Sequence, residues 1–101
     1  MSEAEPKTKV VVNTQLKEPS LFKIIYVNDN ETSMDFVVES LVDIFDYTPA
    51  TAENLTVRVH QEGSATVAVL PFEMAEQKGI EVTVSARSAG YPLQVKLEPE
   101  A

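Results

Sequence analysis

The sequence predicts an α+β fold: one small domain of three strands and three helices in the order βααβαβ. Three observations carry this. Phe22-Lys23-Ile24-Ile25-Tyr26-Val27 is β-branched and aromatic, the composition of a strand. Met34, Val37, Val38, Leu41, Ile44 and Phe45 recur at spacings of three and four, which is one face of a helix. Leu93 to Glu98 alternates apolar and polar, a strand with one wet face.

Taken in order, residues 1–20 mix Glu, Lys, Pro, Thr and Gln around Val10-Val11-Val12 and read as a flexible arm. The three valines could pair briefly as a strand. The domain proper spans 21–101. Its first helix starts at Thr32 or Ser33, either of which can cap it, and Asp35 suits the first turn. Tyr47-Thr48-Pro49 ends that helix, because a residue before proline avoids the helical region. A second helix fits Ala50 to Gln61, with Thr48 as cap, Pro49 in its first position and Gly63 as its stop. Ala65 to Leu70 is continuously apolar, which predicts a buried, central strand. After Pro71 the pattern is ambiguous: Ile80-Glu81-Val82-Thr83-Val84 also reads as a strand. Phe72, Ala75, Gly79, Val82 and Ala86 keep helical spacing, so a third helix over Phe72 to Ala89 is expected, closed by Gly90.

Bulk properties narrow the function. The chain has 101 residues, 44% hydrophobic, enough for one small core. It has no cysteine, which removes disulfides and thiol catalysis, makes zinc clusters improbable and fits a reducing compartment. No apolar run is long enough to cross a membrane, and the N-terminus lacks a secretory profile, so a cytoplasmic protein is expected. A formal charge of −8, with eight scattered basic residues, disfavours nucleic acid and suits cationic partners.

One constellation stands out. Asn28, Asp29, Asn30, Glu31 and Thr32 form a corner between the first strand and first helix. Such residues close turns and cap helices. His60, the only histidine, lies one turn after Thr56 and beside Val59, at the edge of the second helix's buried stripe. If the two helices pack side by side, Met34, Val37 and Leu41 lie opposite. The result is an apolar hole rimmed by an amide, a carboxylate and an imidazole.

Val27-Asn28-Asp29, then Thr32-x-Met34-x-Phe36-Val37, then Val59-His60, Gly63 and Pro92-Leu93 resemble the ClpS family in order and spacing. Those adaptors read destabilising N-terminal residues and deliver their bearers to the ClpA unfoldase of a bacterial-type protease. The resemblance runs from about Leu21 onward. It implies a three-stranded antiparallel sheet with three helices, and favours helix over strand for Ile80 to Val84. It implies that Asn28, Asp29 and His60 hold the ligand's α-amino group and that Thr32 contacts its first peptide unit. Met34, Val37, Thr56, Val59 and Leu93 would line the hole for the first side chain. Glu73 and Lys78 would touch the unfoldase, and the arm would serve delivery. The implied partners are a ClpA-type AAA+ unfoldase and substrates beginning with Leu, Phe, Tyr or Trp, bound by a monomer without cofactor.

The chemistry is consistent with that role. An N-terminal ammonium has three donors, and an amide oxygen, a carboxylate and a neutral imidazole nitrogen are three acceptors. Charge-assisted bonds of this kind are worth about 1.5–3 kcal/mol net, and burying a large apolar side chain a further ~1.5–3 kcal/mol. Association costs at least ~4 kcal/mol, which leaves affinity near micromolar. Binding needs a charged amine and a neutral imidazole, so it should peak around neutral pH. Two residues depart from the family pattern. Asn30 replaces a frequent second aspartate, which weakens the pull on the ammonium. Thr56 replaces a frequent gating methionine, which predicts a wider mouth that admits Ile and Val.

Rival readings are fewer in support. Asp29 and His60 with Ser33 or Ser64 as nucleophile would make an enzyme, but no oxyanion or metal pattern accompanies them. The element order also resembles the C-terminal domain of the ribosomal stalk protein, a docking scaffold in which the corner would be only a cap. Eukaryotic ubiquitin ligases carry a ClpS-like domain too, but free-standing size and the arm favour the bacterial or plastid adaptor.

Overall fold

The computed structural model describes residues 20–101. The arm expected over 1–20, with its three valines, lies outside the described residues apart from Ser20. The elements are β1 (Leu21–Val27), α1 (Met34–Phe45), α2 (Pro49–Glu62), β2 (Ser64–Pro71), α3 (Phe72–Ser88) and β3 (Gln94–Pro99). The order βααβαβ is the one the sequence predicts, and the ambiguous Ile80–Val84 stretch is helical.

The strands form one antiparallel sheet in the order β2-β1-β3. Here one expectation fails: β1, not β2, is central. The Ala65–Leu70 run is apolar through small residues, and only Ala65 and Val67 are buried, while Val69 is exposed. Continuous apolarity therefore marked a thin edge strand. The central strand carries the bulk instead: Ile24 and Tyr26 are fully buried. Their alternate positions put both side chains on one face.

Helix α3 lies against all three strands and touches α1, and α1 pairs with α2. Buried Ala75, Gly79, Val82 and Ala86 form the inner stripe of α3. Gly79 allows the close approach to β3, because an added Cβ would sit 3.3 Å from Leu97 Cδ1. Leu41, Val82 and Leu93 complete the core.

Helix ends follow local chemistry. Of the two candidate caps for α1, Ser33 is the one used, and its Oγ accepts the Phe36 N–H at 3.1 Å. Thr48 caps α2 through Thr51 N–H, with Pro49 at the first position. Asp46 ends α1 in the left-handed region (φ 61°), and Lys78 Nζ reaches across from α3 to the Ile44 carbonyl at 2.9 Å. Inside the core, Ser40 Oγ donates to the Val37 carbonyl at 2.8 Å, so its lone pairs receive the Tyr26 hydroxyl at 2.8 Å. Burial pushes the Tyr26 phenol well above the ordinary tyrosine range, although the Ser40 bond opposes the shift.

Candidate functional site

The corner between β1 and α1 is built by Asp29. One carboxylate oxygen accepts the N–H groups of Glu31 (2.8 Å) and Thr32 (2.7 Å), and the other accepts the Thr32 hydroxyl (2.8 Å). A carboxylate has about four lone-pair positions. Three are occupied inside the corner, so one on Oδ2 remains for a ligand. Partial desolvation raises the Asp29 pKa. The Thr32 and Glu31 amides, the Thr32 hydroxyl and the Arg87 charge outweigh it, and the carboxyl lies below its ordinary value.

The corner is fastened to α2 through the backbone. Asn28 N–H donates to the Gly63 carbonyl at 2.9 Å, and Gly63 N–H donates back to the Val59 carbonyl at 3.0 Å. Gly63 has φ +89°, a conformation that glycine adopts without strain. His60 lies in the last turn of α2, three residues before this joint, and is exposed. Among the described residues, neither the Asn28 amide nor the His60 ring hydrogen-bonds to protein. The segments that bear Asn28, Asp29 and His60 are thus tied together through one backbone joint.

The residues expected to line the hole differ in burial. Val37, Val59 and Leu93 belong to one buried cluster, and Thr56 is buried beside it. Leu93 immediately precedes β3 rather than opening it. The Thr56 hydroxyl donates to the Ala52 carbonyl at 2.8 Å, which turns its polar atom back onto its own helix. Met34, at the start of α1, is 43% exposed. Ser33, the nominated nucleophile, is occupied as a cap, and Ser64 is an exposed strand residue.

Glu73 and Lys78 lie apart from this site, on α3. Glu73 borders a groove of about 420 Å³ with exposed Phe72 and Met74. Lys78 is engaged internally with Ile44 and lies 3.9 Å from Glu81.

Arg87 was missed by the sequence reading. Its Nη1 donates to the carbonyls of Tyr91 and Leu93, both at 2.9 Å. The Tyr91 ring packs on Phe36, in the first turn of α1, at 5.3 Å. Arg87 therefore fixes the segment that delivers Leu93 and adds positive charge near Asp29. The available signal was a basic residue in the last helical turn, ahead of Gly90, where free carbonyls collect.

The family model for the ATP-dependent Clp protease adaptor protein ClpS matches residues 17–96. The chain belongs to the ClpS family. ClpS adapter proteins similar to it include that of Campylobacter jejuni, 38% identical over 95 residues, covering 94% of this chain and 99% of the relative. That of Nautilia profundicola is 40% identical over 92 residues, covering 91% and 95%. Among solved structures, Agrobacterium tumefaciens ClpS2 bound to L-phenylalaninamide superposes with a TM-score of 0.80 at 35% identity. The match covers 82% of this chain and all of that one. The chain is thus an adaptor of the Clp protease system.

Proposed function

We propose that this ClpS adaptor holds proteins by a bulky hydrophobic N-terminal residue and hands them to a ClpA-type unfoldase. The observation that carries the reading is the Asn28–Gly63 backbone bond, which ties the acceptor corner to the helix end bearing His60. The Asn28 amide oxygen, the last lone pair of Asp29 Oδ2 and one His60 nitrogen receive the three ammonium hydrogens. Thr32, whose hydroxyl oxygen retains lone pairs, meets the first peptide unit. The first side chain enters between Met34, Val37, Thr56, Val59 and Leu93. The ligand of the Agrobacterium structure, an amino-acid amide with a free amine and an aromatic side chain, has this chemistry. For the unfoldase, Glu73 among exposed Phe72 and Met74 offers a carboxylate with apolar anchors, and Lys78 lies further along α3.

The test is binding of labelled peptides that begin with Leu, Phe, Ile, Arg or acetyl-Leu. Strong Leu and Phe signals with silent acetyl-Leu are expected. Equal binding of Leu and acetyl-Leu overturns the reading, since acetylation removes the cation and two of its three donors while leaving the first side chain unchanged.

A further inference from the structure

Beside the sheet, away from the corner, α3 and β3 enclose a groove of about 270 Å³. Its floor is Gly79, Val95 and Leu97, and its rim includes Glu76, Ile80 and Val84. Ile80 and Val84 are 57% and 59% exposed, the highest values among the large apolar residues described. The groove adjoins an open sheet edge, because β3 pairs only with β1 among the described residues. An open edge next to an apolar trough is the geometry that accepts an added strand: main-chain bonds along the edge, alternate side chains into the trough.

We propose that residues 8–14 of this chain, Thr8-Lys9-Val10-Val11-Val12-Asn13-Thr14, add as a fourth strand on β3, with Val10 seated against Val84 and Val12 against Ile80. This goes beyond the proposed function and does not depend on it. Four features identify the occupant. The segment is β-branched and lies between Pro6 and Pro19, with neither proline nor glycine inside it. Val10 and Val12 share one face of a strand at a spacing of about 6.7 Å. Ile80 and Val84 are separated by about 6 Å along their helix, so the two pairs match. Charge is complementary: residues 7–17 contain Lys7, Lys9 and Lys17 and no acid, while residues 20–101 hold thirteen acidic and five basic residues, a net −8.

Reach fits as well. β1 begins where β3 ends, since Phe22 pairs with Pro99. A segment running parallel to β3 therefore finishes at the end of the sheet where the chain must enter β1. The gap to span is two strand spacings, about 10 Å, and the seven links from Thr14 to Leu21 extend to about 23 Å. Lys17, in that connection, passes the end of the groove that carries Glu76. Val11 lies on the opposite, wet face with Gln94, Lys96 and Glu98.

Amide hydrogen exchange on the full chain tests this. In the parent, the Val10–Val12 amides and the outward amides of β3 exchange at least about tenfold more slowly than an unstructured chain. Val10→Asp/Val12→Asp and Ile80→Asp each abolish that protection without changing the β1–β2 amides, whereas Val11→Asp leaves it intact. Because the chain has no cysteine, Val10→Cys with Val84→Cys provides a second measurement. This pair forms an intramolecular disulfide on oxidation at high dilution, and Val11→Cys with Val84→Cys does not. Unprotected Val10–Val12 amides in the parent overturn the proposal. Protection that grows with protein concentration overturns it in favour of a second copy on the edge. Protection that appears only on adding another protein overturns it in favour of that partner.

Discussion

Substituting Asp29 separates the two tasks of one carboxylate. Asp29→Asn keeps an oxygen that can accept the Glu31 and Thr32 N–H groups, held now at 2.8 and 2.7 Å. The new amide nitrogen replaces Oδ2, and the Thr32 hydroxyl can reverse its bond by accepting. The corner therefore survives with a stability loss below about 1 kcal/mol. The same nitrogen turns donor hydrogens toward the position assigned to the ligand ammonium, and the negative charge is gone. Losing one charge-assisted bond costs about 1.5–3 kcal/mol, so the Leu-peptide Kd rises roughly 10- to 150-fold. Asp29→Ala removes all three corner bonds as well and lowers stability by about 1–2 kcal/mol, as loss of a strong helix cap does. Fluorescence anisotropy with a Leu-headed peptide reads the first effect, and urea unfolding reads the second. Binding by the Asp29→Asn variant within about threefold of the parent would show that Oδ2 is not a ligand acceptor. Equal stability losses for the two variants would show that the corner does not work as described.

Four further outcomes are expected. The Asp29 carboxyl is depressed below its ordinary value of 3.8, so its stabilising effect is complete above that pH and lost as pH falls through the lower folded value; the stability gap between parent and Asp29→Asn, followed by urea unfolding between pH 6 and 2, closes only at the acid end. Ser40→Ala strands the buried Tyr26 hydroxyl and costs about 1–3 kcal/mol, more than the ~0.5–1.5 kcal/mol of Tyr26→Phe, where Ser40 keeps its bond to Val37; chemical denaturation ranks the two. Thr56→Met narrows the mouth and lowers affinity for Ile-headed peptides relative to Leu, and an unchanged Ile-to-Leu ratio refutes the gate. Lys78→Ala lowers unfoldase binding and also domain stability, by about 1.5 kcal/mol, because the Ile44 carbonyl loses its cation; Glu73→Ala affects only unfoldase binding, measured by co-sedimentation beside a melting curve.

Much of the fold was readable because its elements are bounded by residues with one local meaning. Pro49, Gly63 and Gly90 mark their joints by backbone conformation alone, and the α1 stripe needs no partner to be recognised. Two features were not readable, for related reasons. The rank of a strand within a sheet depends on what packs over it, and Ala65, Ala68 and Thr66 count as apolar or β-branched without filling space. The choice between Thr32 and Ser33 as cap depended on Asp29, whose carboxylate claims the Thr32 hydroxyl first. Composition left Ile80–Val84 open; the helical spacing of Phe72, Ala75, Gly79, Val82 and Ala86 decided for a helix, and the burial of the last four gives the physical reason. For the site, sequence order placed the acceptors and the apolar wall near one another. It could not reveal Arg87, whose role depends on the chain turning back at Gly90 to present two carbonyls.

Gly63 ends α2, begins the approach to β2 and receives the Asn28 amide, all within one residue. Selection acting on this adaptor therefore meets two kinds of position. On the proposed reading, exposed Met34 can drift to retune which side chains are admitted at little risk to the domain. The end proposed to hold the cation has less latitude, because a backbone change that re-aims Asn28 relative to His60 disturbs the joint at Gly63. If the proposed function holds, diversity among descendants of this chain is expected in the breadth of the diet, while the demand for a free amine stays frozen.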